Sequence, residues 1–212
     1  MVARSDARSP SALSVLTPSV TRMTHLVLFH HVAGLTPGVT ALADRWRAAG
    51  HEVTTPDLFE GRTFGSVEEG FAFVQSIGGF DEVRSRALAA VADLPEAVVY
   101  AGISMGVVAA QHVAAQRPGA VAGVFLESFV APEHVGEWPA GAPVQVHGME
   151  DDEFFGLEDL EPAREFAAGR DDVDVFTYPG DAHLFVDSSL PAHDRDAAAL
   201  VDERVLAFLA TL

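Results

Sequence analysis

The sequence predicts an α/β domain: a mostly parallel open sheet with helices on both faces. Three observations point there. Short continuous apolar runs recur along the chain, the form taken by strands buried on both sides. Stretches with apolar residues at helical spacing separate those runs. The polar residues with chemistry to offer (His30, His31, Ser104, Asp151, Asp152 and His183) stand just after predicted strand ends, where open α/β sheets gather function.

The first strand is Leu26, Val27, Leu28 and Phe29. Residues 37–50 read as a helix, with Ala41, Leu42, Trp46 and Ala49 at helical spacing and Gly50 as the stop. A second strand spans 53–56. The segment 59–79 is studded with glycine and carries one short helical piece, 67–75. A helix over 80–94 leads to a strand at 97–103, and a helix over 105–116 ends at Pro118 and Gly119. Strands follow at 121–126 and 144–147, then a helix near 158–168 and a strand at 173–178. A closing helix, 194–212, shows an apolar face of Ala198, Leu200, Val201, Val205, Leu206 and Leu209.

The 212 residues suit one domain, placed at 23–212, and the 49% apolar content suffices for its core. Residues 1–22 carry Arg4 and Arg8, but Ser, Thr and Pro break their apolar stretch, so they read as a disordered extension with Met23 as an alternative start. The formal charge is −18 and all 13 basic residues are Arg. Such a surface repels phosphate backbones and anionic lipid, which argues against nucleic-acid and membrane partners. No apolar run approaches the roughly 20 residues of a membrane span, and a cytoplasmic location is expected. With no cysteine, thiolate metal sites and thiol nucleophiles are excluded.

The strand at 97–103 runs into Gly102, Ile103, Ser104, Met105 and Gly106. Chance produces Gly-x-Ser-x-Gly about once in a dozen chains of this composition, so the pentapeptide alone is weak. Its setting is stronger, because a nucleophile on a sharp strand-to-helix turn needs glycines where Cβ atoms would collide. The Met105 N–H, at the head of the next helix, is placed to stabilise an oxyanion. The competing reading is a serine in a tight structural turn.

A serine hydroxyl also needs a base. His183 follows the last predicted strand, and the chain order of serine, acid and histidine suits an acyl-transfer triad. The acid belongs after the 144–147 strand, where Asp151 and Asp152 compete. Asp152 is favoured, since Phe154 and Phe155 close behind it would shield a buried carboxylate. His30 and His31 are adjacent on a strand and point to opposite faces, so they do not share a metal ion.

These features together resemble the dienelactone hydrolase family of the α/β-hydrolases, over about residues 24–212. The likeness rests on Pro56-Asp57-Leu58-Phe59, the serine turn, Asp152 before Phe154 and Phe155, and Gly180 to Phe185 around His183. The resemblance implies an α/β-hydrolase fold and a second oxyanion donor at the Val32 N–H. It implies no cofactor.

Three departures stand out. Familiar members carry cysteine where this chain has Ser104. They carry a glutamate where His31 stands, and a substrate-binding arginine where Asp187 stands. Asp187 would disfavour an anionic lactone. The connection from Ser128 to Pro143 is too short for a large lid, so a small, fairly open pocket is expected, lined by His31, Phe129, Trp138, Phe154 and Phe185.

The reading is a serine hydrolase of small esters or lactones. The alternative is a non-catalytic binding protein on the same fold. Nucleotide binding lacks its Gly-x-Gly-x-x-Gly after the first strand.

Overall fold

The computed structural model describes residues 23–212, so the expected extension 1–22 lies outside the described residues. Among the described residues six parallel strands form one sheet: β1 (His25–Phe29), β2 (Glu52–Thr54), β3 (Val98–Ile103), β4 (Ala120–Leu126), β5 (Val144–Met149) and β6 (Val173–Tyr178). Their order is β2-β1-β3-β4-β5-β6. The order reverses between β1 and β3, the point where ligands bind in such sheets.

Side-chain alternation explains why both faces are covered. Val27 and Phe29 of β1 join one apolar cluster, and Leu26 and Leu28 join the other. The first cluster takes α2 (Val67–Ile77), α3 (Gly79–Ala90), α4 (Met105–Gln116) and α6 (Leu160–Ala167). The second takes α1 (Pro37–Ala48) and α7 (Arg195–Leu209), through residues such as Trp46, Val201 and Val205. Helix α4 buries Ala109, Ala110, Val113 and Ala114, and these small side chains let it lie close on the sheet.

Local chemistry starts the helices where the sequence suggests. Thr36 caps α1 by accepting from the Val39 N–H, with Pro37 in the first turn. Ser66 caps α2, and Asp194 caps α7 by accepting from the Asp196 and Ala197 N–H groups.

Several boundaries move. The strand expected at 144–147 continues to Met149, and the helix expected over 80–94 stops at Ala90. In the glycine-studded segment, α2 runs to Ile77 and passes to α3 through Gly78 and Gly79, both with positive φ. Two elements have no counterpart in the sequence reading. They are a single turn, α5 (Pro132–Val135), and a π-helical turn at Phe155–Asp159. Among the described residues, no helix is long and apolar enough to cross a membrane.

Candidate active site

Ser104 sits alone between β3 and α4 with φ 50° and ψ −117°, a conformation L residues rarely adopt. The turn is held from both sides. Its N–H donates to the Leu126 carbonyl at the end of β4, 2.8 Å away. A Cβ on Gly102 would strike the Gly106 backbone, and a Cβ on Gly106 would strike the carbonyls of Phe29 and His30. Both glycines of the pentapeptide are therefore required by close backbone approach.

The Ser104 Oγ lies 2.8 Å from Nε2 of His183. The Nδ1 of His183 lies 2.7 Å from Oδ2 of Asp152. The second carboxylate oxygen of Asp152 accepts from the Phe154 N–H at 2.9 Å. Asp152 is buried. Asp151 is exposed, and its N–H is spent on the Gly180 carbonyl, 3.0 Å away. The two aspartates that spacing could not separate are thus separated by geometry. The Phe154 ring packs on the His183 imidazole, with centroids 4.6 Å apart, while Phe155 fills the space above Gly148.

Charge around His183 favours its protonated form. Burial works to lower its pKa. The Asp152 hydrogen bond and the charges of Glu127, Asp152 and Asp159 outweigh burial, and the pKa is raised above its ordinary value.

The two backbone N–H groups expected to meet an oxyanion, those of Met105 and Val32, stand after β3 and β1. Met105 heads α4, where the first N–H groups have no intrahelical partner. Val32 is buried in the turn after β1, where the Gly34 N–H donates to the His31 carbonyl at 3.0 Å. Gly70 of α2 lies so close to the Val32 carbonyl that a Cβ there would collide with it.

His31 and Asp187 depart from expectation. Both are buried, with His31 Nε2 2.7 Å from Asp187 Oδ2. The Ala33 N–H donates to His31 Nδ1 at 3.2 Å, which assigns the proton to Nε2. Asp187 also accepts from the Thr36 hydroxyl and from the Ser189 N–H and hydroxyl. Burial alone would raise its pKa. The hydrogen bonds from His31, Ser189 and Thr36 together prevail, and the carboxyl lies well below the usual range. Asp187 thus faces a histidine rather than a substrate, and it ties the Val32 turn to the loop carrying His183.

His30 is equally structural. One nitrogen meets the His31 carbonyl and the other accepts from the Leu58 N–H. Burial holds its pKa down to about 4, so it stays neutral. Among the described residues, no group of three or more His, Asp or Glu side chains is arranged to hold a metal ion.

A cleft of about 210 Å³ opens at Ser104, and its walls include Phe71, Phe80, Met105, Val130 and Phe154. Of the five side chains expected to line the pocket, only Phe154 does so. Phe129 packs against Phe125 and Phe166, and Trp138 packs edge-on to Phe125 while its N–H donates to the Ala142 carbonyl. Phe185 packs on Tyr178, and His31 is committed to Asp187. Packing claims these four because each lies on the core side of its loop. The walls come instead from α2 and α3, through Phe71 and Phe80, and from Glu127, Ser128, Glu158 and Asp159. A second, largely apolar hollow of about 160 Å³ also borders His183, against Val67, Leu184 and Leu190.

The model of the dienelactone hydrolase family matches residues 12–212. No curated protein matches the chain. Among solved structures, a dienelactone hydrolase-like promiscuous phosphotriesterase from metagenomic libraries is 19% identical at a TM-score of 0.69. That match covers 89% of this chain and 86% of the other. A dienelactone hydrolase from Anabaena variabilis is 20% identical at a TM-score of 0.63, covering 89% and 87%. A cold-adapted esterase from an Arctic intertidal metagenomic library is 18% identical at a TM-score of 0.57, covering 90% and 85%. At these identities the solved structures share a fold with this chain.

Proposed function

The chain belongs to the dienelactone hydrolase family, and from that premise we propose that it is a serine hydrolase cleaving small esters or lactones through an acyl-enzyme. One observation carries the reading: an unbroken hydrogen-bonded chain from the Ser104 hydroxyl through His183 to the buried Asp152.

In this mechanism Ser104 Oγ attacks the substrate carbonyl carbon as Nε2 of His183 takes its proton. Asp152 at Nδ1 holds the ring in the working tautomer and stabilises the imidazolium. The carbonyl oxygen becomes an oxyanion and is met by the Met105 and Val32 N–H groups. As the carbonyl re-forms, the C–O bond to the leaving alkoxide breaks and His183 protonates that oxygen. A water then gives its proton to His183 and attacks the acyl carbon. The second tetrahedral intermediate collapses, the ester bond to Ser104 breaks, and His183 returns the proton to Oγ. Two hollows border His183, and in this reading they take the two halves of the ester.

The helix-borne Met105 N–H and the strained serine support this reading over a structural turn. A strained non-glycine residue costs about 1–3 kcal/mol and persists where surrounding structure enforces it. A fluorophosphonate probe should label the wild-type protein and leave Ser104→Ala unlabelled. Equal labelling of both would remove Ser104 from the role.

A further inference from the structure

The residues that line the cleft at Ser104 include three aromatics, Phe71, Phe80 and Phe154, and three acids, Glu127, Glu158 and Asp159. We infer that this cleft is a subsite for a positively charged group, so that the preferred substrates are esters bearing an ammonium centre. The inference rests on the hydrolase reading and names its substrate class.

A buried acid borders the cleft with one oxygen poorly satisfied. Glu127 follows the apolar strand β4, has φ 61°, and is fully buried. Its Oε1 accepts from the Val186 N–H at 2.9 Å and the Leu184 N–H also acts on the carboxylate, whereas its Oε2 has no partner at full hydrogen-bond geometry among the described residues. Leaving a buried carboxylate oxygen unpaired is costly, and natural structures rarely do so without a reason. Burial pushes the Glu127 carboxyl up to about 7, against the pull of His183 and of the Val186 and Leu184 N–H groups. Burial also raises Asp159, although the Ser128 hydroxyl and the Phe129 N–H both donate to it.

No Lys or Arg lines the cleft among the described residues, and His183 is already engaged by Ser104 and Asp152. An entering cation supplies the missing positive charge and draws Glu127 to its ionised form. An anionic substrate meets the opposite field.

The rings complete the site. Phe71 lies 6.4 Å from Phe80 and 6.3 Å from Phe154, centroid to centroid, so three aromatic surfaces border one small space. Aromatic faces attract alkylammonium groups, and most strongly where water is displaced. The carboxylates supply the long-range attraction and the rings supply the fit.

Matched pairs test the inference. Acetylcholine against neohexyl acetate, its carbon isostere, puts the charge on the alcohol side. The nitrophenyl ester of trimethylammoniobutyrate against its carbon isostere puts it on the acyl side. In at least one pair, kcat/KM for the cationic ester should exceed its isostere about tenfold at low ionic strength. That ratio should fall about threefold in Glu158→Gln and in Asp159→Asn. Ratios near one in both pairs, or equal loss for both members of a pair in the variants, would overturn it.

Binding of choline against neohexanol, measured by calorimetry, reads the cleft without turnover. Tighter choline binding supports the subsite even if no ester is cleaved, an outcome that would count against the hydrolase reading alone. Equal binding counts against the subsite.

Discussion

Two histidine–aspartate pairs stand at the same end of the sheet, and their geometry is nearly identical. His183–Asp152 and His31–Asp187 each have a nitrogen-to-oxygen distance of 2.7 Å and a fully buried carboxylate. They differ at the other ring nitrogen. In His183 it meets the Ser104 hydroxyl and borders the cleft. In His31 it accepts the Ala33 N–H inside the core. A histidine–carboxylate pair is therefore not itself a catalytic device. What the second nitrogen faces separates the two pairs: a hydroxyl at the cleft in one, a backbone N–H in the core in the other.

Substitutions should break the two pairs in different ways. The largest effect is expected at the first. Asp152→Asn should lower kcat by roughly 10⁴-fold with little change in thermal stability, because the ring loses its working tautomer. Asp151→Asn, on an exposed side chain, is the control and should stay within about twofold of wild type. Steady-state kinetics on a short-chain ester checks both, and the reverse ranking would transfer the role to Asp151.

At the second pair the order of effects should invert. Asp187→Asn weakens contacts to His31, Thr36 and Ser189, and a destabilisation of roughly 1–3 kcal/mol is expected in chemical denaturation. Its effect on kcat, through a loosened Val32 turn, should be only about tenfold. A loss as large as that of Asp152→Asn would mean that His31 joins the chemistry.

The smallest effect sharpens the charge around the first pair. In the proposed mechanism His183 must be neutral to accept the serine proton, so activity should fall as pH drops through a value above the ordinary imidazole range. Glu127 is one of the charges raising that pKa. Glu127→Gln should therefore move the acid limb of the kcat/KM profile for a neutral ester to lower pH. An unmoved limb would show that Glu127 does not act on His183.

Much of this was legible in the sequence, for local reasons. Buried parallel strands are short apolar runs, and a serine between two glycines at a strand end announces its turn. Ser104 and His183 each follow a predicted strand directly. Asp152 could be favoured because Phe154 and Phe155 come close behind it. The pocket walls were not legible. Whether Phe129 or Phe71 faces the cleft depends on how a loop or helix is rotated against the sheet, and composition carries no record of that. Asp187 was misread for a related reason, since its partner His31 is 156 positions away. Glu127 left one signal, a carboxylate closing a strand that is otherwise apolar.

The central claim is a covalent intermediate on Ser104. Mixing the protein with a slowly hydrolysed nitrophenyl ester and reading intact mass and peptide masses tests it most directly. The account predicts a burst of nitrophenol matched to the enzyme concentration, together with one acyl adduct on the peptide containing Ser104. Turnover with no burst and no adduct, or an adduct on another residue, would contradict it.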